Sequence, residues 1–268
     1  MLIVDAHEDI AWNALTFGRD VRRSAHETRR LEVHSDAPRV CGPCLLGLPD
    51  WLAGGVAVVL GTLFVAPERK RHDVWEIQTY GTPQEAHHRA SAQLDYYQRL
   101  AGETPAIQLL QSRADLEAVL ATWTETATGE QGGTGAGESA PAGKVGIVVL
   151  MEGADPILEP KEAEAWFERG VRAFGLAWAG TRYSGGTSEP GPLTNEGREL
   201  LEVLADFGAI LDLSHAAEKA FFEALDRYEG LVIASHSNPR AFVPGDRQLS
   251  DTMIVRLAER DGVIGIVP

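Results

Sequence analysis

A small set of residues in this chain could do metal chemistry together. His7 and Asp9 are separated by one residue near the start, while Glu152 directly follows an apolar run and His215 and His236 each follow one through a single serine. Imidazole nitrogens and carboxylate oxygens are what a divalent metal takes as ligands. Residues 4–9 read as a strand, on which Asp5, His7 and Asp9 would share a face. Burying three polar groups side by side is costly, and a cation held between an imidazole and a carboxylate offsets that cost. A single His-x-Asp also occurs in loops, so its meaning depends on the other three residues.

Two cysteines complete the reactive side chains, spaced as Cys41-Gly-Pro-Cys44. A thiol redox site with this spacing should follow a buried strand and open a helix, whose N-terminus lowers the thiol pKa. The residues before it, 32–38, read instead as a loop. With no second cysteine pair, a four-ligand zinc site is disfavoured as well.

The elements that must position these residues are legible from Gly143 onward. Residues 145–151, 171–176, 209–214, 231–235 and 262–267 read as strands, with helices over 160–169, 194–207, 216–228 and 250–260 between them. Thr194 is the candidate N-cap of its helix and Gly208 its stop. Earlier, 54–65 (GGVAVVLGTLFV) is a β-branched run suited to a strand buried on both faces. Residues 82–100 place Ala86, Ala90, Leu94 and Tyr97 on one helical face, and 116–123 reads as a further helix. Residues 16–49 read as a long loop with short helical pieces. The Gly-rich stretch 129–143 reads as a flexible surface loop within one domain spanning 1–268, and its glycines do not fit G-x-G-x-x-G.

Seven strands alternating with helices imply βαβ units and a parallel sheet. Four of those strands carry a metal-capable side chain at the carboxyl end: His7 and Asp9, Glu152, His215, and His236. A doubly wound sheet gathers ligands only at its switch point, whereas a (β/α)8 barrel brings all its strand ends to one face. The expected fold is therefore α/β, of the metal-dependent (β/α)8 TIM-barrel type.

Composition narrows the partners. At 268 residues and 44% hydrophobic content the chain can bury a large core. A net charge of −15 and a pI near 4.9 argue against nucleic acid or an anionic membrane surface and for a small molecule or a cation. No apolar run reaches the roughly 18 residues of a membrane span, and the first strand leaves no room for a signal peptide, so a cytoplasmic protein without a membrane anchor is expected.

The His-x-Asp opening, Leu150-Met151-Glu152-Gly153, Ile210-Leu211-Asp212-Leu213-Ser214-His215 and Ser235-His236-Ser237, in that order, resemble the membrane (renal) dipeptidase family of the amidohydrolase superfamily. The resemblance implies a binuclear site of two Zn²⁺ ions: His7 and Asp9 on one, His215 and His236 on the other, Glu152 bridging both. It implies a metal-bridging hydroxide that attacks the peptide bond of a dipeptide. It also implies that Arg247 lies near the substrate's terminal carboxylate, which a guanidinium fork suits. Where the family carries a substrate-contacting histidine after its fourth strand this chain has Trp178, which offers packing or one N–H but no ionisable proton.

The family's proton-exchanging aspartate ends an eighth strand, and this chain ends at Pro268 on its seventh. The expectation is a barrel lacking that strand and that aspartate. Two alternatives stand beside the dipeptidase: another amidohydrolase-type amide or lactam hydrolase at the same metals, and a catalytically silent truncated homologue. The exposed edges of the first and last strands invite pairing with a second copy, as in a homodimer.

Overall fold

The apolar β-branched runs do become parallel strands. In the computed structural model, which describes residues 1–128 and 143–267, one sheet path runs through β1 (Ile3–Glu8), β2 (Val56–Phe64), β3 (Val145–Glu152), β4 (Val171–Gly175), β5 (Ile210–Asp212), β6 (Val232–Ala234) and β7 (Val263–Ile264). All neighbouring pairs are parallel. Spatial order equals chain order, as in a (β/α)8-type barrel and unlike a doubly wound sheet. Among the described residues no strand joins β7 to β1, so the barrel is one strand short. On those two edges Val4, Val263 and Ile266 are 62%, 65% and 65% exposed.

A short strand, Ile107–Leu109, was not legible in the sequence. It pairs with Val145–Ile147 of β3, while β4 pairs with Val149–Glu152. Because β2 occupies the other edge of β3 from Gly146 to Glu152, the short strand and β4 share the remaining edge end to end. Three residues are too few to show a period.

Helices lock the sheet from outside. The helix Pro83–Glu103 starts in a capping box between Thr82 and Glu85, and its buried face carries Ala86, Ala90, Leu94 and Tyr97. The Tyr97 hydroxyl donates to the Thr62 carbonyl at 3.0 Å and accepts from the Ala11 amide at 3.3 Å, tying this helix to β2 and to the start of the next element. A glycine at 61 makes room for it, since a Cβ there would meet the tyrosine ring at 2.8 Å. The helix Asn195–Asp206 is capped by Thr194, whose hydroxyl accepts from the Gly197 amide, and Gly208 (φ +67) ends it.

Several boundaries differ from the sequence expectation. β1 stops at Glu8, and Asp9 is the N-cap of the helix Ile10–Phe17, not the third member of a strand face. Residues 16–49 hold three short helices, Ala25–Leu31, Ala37–Cys41 and the start of Leu48–Gly54. A hairpin of Ser184–Gly186 with Glu189–Leu193 lies between two elements that were legible in the sequence. The expected flexible stretch 129–143 lies, but for Gly143, outside the described residues. No helix among the described residues is long and apolar enough to cross a membrane.

Candidate metal centre

The carboxyl ends of β1, β3, β5 and β6 deliver their polar side chains to one point. Glu152, the last residue of β3, is 5% exposed. The chain then turns away at Gly153 (φ +85). On one side of its carboxylate His7 Nε2 stands 3.6 Å from Oε2 and 3.7 Å from Asp9 Oδ1. On the other side His215 Nε2 and His236 Nε2 stand 3.1 and 3.3 Å from Oε1, and 3.1 Å from each other. The His7 and His236 rings stack with centroids 3.5 Å apart. All five sequence-selected residues therefore meet, Glu152 in the middle.

Each is aimed by local structure. Thr62, the hydroxyl within β2, donates to Asp9 Oδ1 at 2.5 Å. His215 does not end its strand but sits beyond it in the left-handed region (φ +65), costly for a residue with a Cβ. That conformation is held by a bridge from Ala216 to Gly186 and by the Ala217 amide on the Gly185 carbonyl. His236 is aimed by a chain of three groups. Buried Asp212 accepts on Oδ1 from the Ser214 and Ser235 amides and on Oδ2 from the Ser235 hydroxyl at 2.5 Å. With its single proton given to Asp212, Ser235 Oγ can only accept from His236 Nδ1, 2.7 Å away. Nε2 of His236 is thereby left with its lone pair, facing Glu152.

This bookkeeping tests whether a metal suits the residues. Two acceptors, His236 Nε2 and Glu152 Oε1, confront each other at 3.3 Å. A cation between them resolves that repulsion. Atoms bonded to one zinc at about 2.0–2.2 Å lie about 3.2–3.6 Å apart in a tetrahedral shell, close to the spacings seen here. His7, Glu152 and His236 offer ligand atoms all within 4.8 Å of one another. The donor set fits.

In the metal-free cluster the carboxylate and the imidazoles shift one another. Burial opposes the charge on Glu152, yet His7 opposite it and the contact from His215 hold its carboxyl well below the usual range. Burial pushes His215 down to about 4, leaving the neutral imidazole that ligation needs. For His7 burial works against the proton, but Glu152 and Asp9 outweigh it and raise the pKa.

Arg247, in the loop after β6, donates from Nη2 to the His236 carbonyl at 2.5 Å and from Nη1 to Ser237 Oγ at 3.1 Å. It lines the same cavity of about 490 Å³ as the five polar residues, and so does Trp178, whose ring centroid is 6.1 Å from that of His215. Cys41 closes a short helix and does not open one, and burial raises its thiol pKa. That is the reverse of what a redox thiol requires. Sequence reasoning missed Asp212, Ser235 and Thr62. Their signal was present as single polar residues, Thr62 and Asp212 in otherwise apolar strands and Ser235 directly after one.

A parallel (β/α)8-type barrel one strand short, with a carboxylate set among imidazoles at the carboxyl face of its strands, defines the class of fold. The chain belongs to the membrane dipeptidase family (peptidase family M19), whose model matches residues 1–268. It is similar to an uncharacterized protein in the PQQ-III 3′ region of Acinetobacter calcoaceticus, 31% identical over 46% of this chain and 42% of that one. It is similar also to the dipeptidase tcpJ of Claviceps purpurea, 34% identical over 47% of this chain and 31% of that one. The matches thus span less than half the length of these curated relatives. A metallo peptidase from Rhodobacter sphaeroides, solved with a phosphinate mimic of the dipeptide L-Ala-D-Ala, shares the fold with a TM-score of 0.73 and 20% identity, over 99% of this chain and 73% of that one.

Proposed function

We propose that this chain carries the metal site of a zinc-dependent dipeptidase within one catalytic domain. The observation that supports this most is Glu152, whose two oxygens face different imidazoles, Oε2 toward His7 and Oε1 toward His215 and His236. His7 and Asp9 would hold one Zn²⁺ ion, His215 and His236 a second, and Glu152 would bridge them. Two such ions, when bound, polarise the scissile carbonyl and lower the pKa of a water so that it can act as nucleophile near pH 7.

The remaining work belongs to the side chains. The N–H groups that Arg247 does not spend on His236 and Ser237 would take the terminal carboxylate of a dipeptide, and fixing that end sets the scissile carbonyl beside Glu152. Thr62 keeps Asp9 turned toward His7, and the Asp212–Ser235 pair keeps the His236 lone pair turned inward. A cytoplasmic location is part of the same proposal, supported by the acidic composition and two free thiols.

Metal content by mass spectrometry, with amino acid release from a dipeptide panel and from N-acyl amino acids, tests this. Two zinc ions per chain and faster release from dipeptides are expected. Faster release from N-acyl amino acids would move the assignment to another amide hydrolase. A metal-free protein without hydrolysis would refute the assignment for this chain.

A further inference from the structure

Opposite Arg247 the cavity has an aromatic wall that the metal chemistry does not use. Trp12, Phe64, Trp75 and Trp178 all line it. Their rings are in mutual contact: Trp12 to Trp75 at 6.2 Å, Trp12 to Phe64 at 6.4 Å and Phe64 to Trp178 at 5.1 Å between centroids. Trp12 and Phe64 are each 8% exposed and form the base, whereas Trp75 and Trp178 are half-buried and still offer surface. Half-buried indoles inside a cavity are unfinished packing, able to bury more apolar area when a ligand arrives.

The wall's place in the ring of strands decides which part of a substrate it meets. Phe64 ends β2 and Arg247 follows β6, with β3, β4 and β5 between them along the sheet. In an eight-position ring those two strands face each other across the axis. The metal-ligating cluster lies between. A dipeptide whose carboxylate is held by Arg247 and whose carbonyl lies at Glu152 has only its N-terminal residue left to reach the wall.

We propose that the wall of Trp12, Phe64, Trp75 and Trp178 selects dipeptides whose N-terminal residue carries a large apolar side chain, aromatic or branched aliphatic. This rests on the dipeptidase reading for the orientation of the substrate. Arg247 fixes one end, and the wall takes the other by burying apolar surface, with the half-buried Trp178 as the face next to His215.

The test separates recognition from catalysis. Calorimetric titration of the metal-stripped chain with Gly-Ala, Leu-Ala, Phe-Ala and Lys-Ala reads the wall without turnover, and kcat/KM of the zinc-loaded chain on the same four reads it with turnover. Phe-Ala and Leu-Ala should bind, and be cleaved, about tenfold or more better than Gly-Ala. Trp178→Ala should reduce the Phe-Ala to Gly-Ala ratio severalfold in both measurements, and Trp75→Ala, also half-buried, provides a second variant with the same expectation. Equal affinity across the panel, a preference for Lys-Ala, or binding of none of the four would overturn the proposal. Selective binding of Phe-Ala without any hydrolysis would leave the wall standing and sink the dipeptidase reading instead.

Discussion

Replacing Asp212 by asparagine changes no shape and reverses a proton chain. The amide oxygen of the new side chain can still accept from the Ser214 and Ser235 amides, which lie 3.0 and 2.9 Å from Asp212 Oδ1 in the native protein. Its NH₂ group, however, occupies the place of Oδ2 and donates to Ser235 Oγ. The serine proton must then point at His236 Nδ1, 2.7 Å away, and the imidazole moves its own proton to Nε2. That atom faces Glu152 Oε1, so the metal-facing lone pair is replaced by a hydrogen bond to the carboxylate. Loss of such an outer hydrogen bond costs about 10–100-fold in metal affinity, or about 1.4–2.7 kcal/mol. Ser235→Ala should fall at the mild end, because it releases the tautomer and does not force it. Competition with a chromophoric chelator gives the zinc affinity, and ¹⁵N NMR of the imidazoles in the metal-free protein gives the tautomer. The expected order of affinity is native, then Ser235→Ala, then Asp212→Asn, with Nε2–H dominant in the last. Native zinc affinity together with an Nδ1–H imidazole in Asp212→Asn would show that the chain of three groups does not set the histidine.

Other outcomes follow from the same geometry. Glu152→Gln removes the anion common to both halves of the cluster, and zinc bound per chain at micromolar metal should drop below half of the native value by mass spectrometry. Glu189, paired with Arg69 and Lys70, has a carboxyl pKa lowered to about 2, chiefly by the Arg69 hydrogen bond. Because the folded value lies below the ordinary one, its contribution is present above about pH 4.5 and fades as pH falls toward 2. Denaturant unfolding of Glu189→Gln should therefore show a loss of about 1 kcal/mol at pH 7, small because the pair is partly in solvent, and none near pH 2. Cys41→Ser should leave zinc content and hydrolysis within about twofold of native, since a thiol with a raised pKa has no thiolate to lose.

Much of this fold was legible because it is built from repeats of one signal. Runs such as 56–64 and 145–152 are apolar, β-branched and long, and their ends carry the polar residues. The shorter strands, β5 and β6, kept only three residues each of the expected five or six, because the chain leaves the sheet early to aim His215 and His236. Asp9 meets the cluster by a route other than the expected one, since β1 ends at Glu8 and Asp9 is the N-cap of the helix that follows. Arg247 and Trp178 came from resemblance alone, and no local pattern marks either. The aromatic wall was invisible in the sequence because Trp12, Phe64, Trp75 and Trp178 belong to four separate segments, and only the curl of the sheet brings them together.

The stack of His7 on His236 has a mechanical side. Along the backbone, β1 and β6 are connected only by the long route through β2, β3, β4 and β5. Across the open side this pair of rings links their carboxyl ends. Ions shared by His7, Asp9, Glu152, His215 and His236 would act as a clasp, tying the first strand of the sheet to the far side without a strand between. Loading the site should then stiffen β1 as a whole, and its amide hydrogens, more than those of the interior strand β3, should exchange more slowly in the metal-bound chain than in the stripped one.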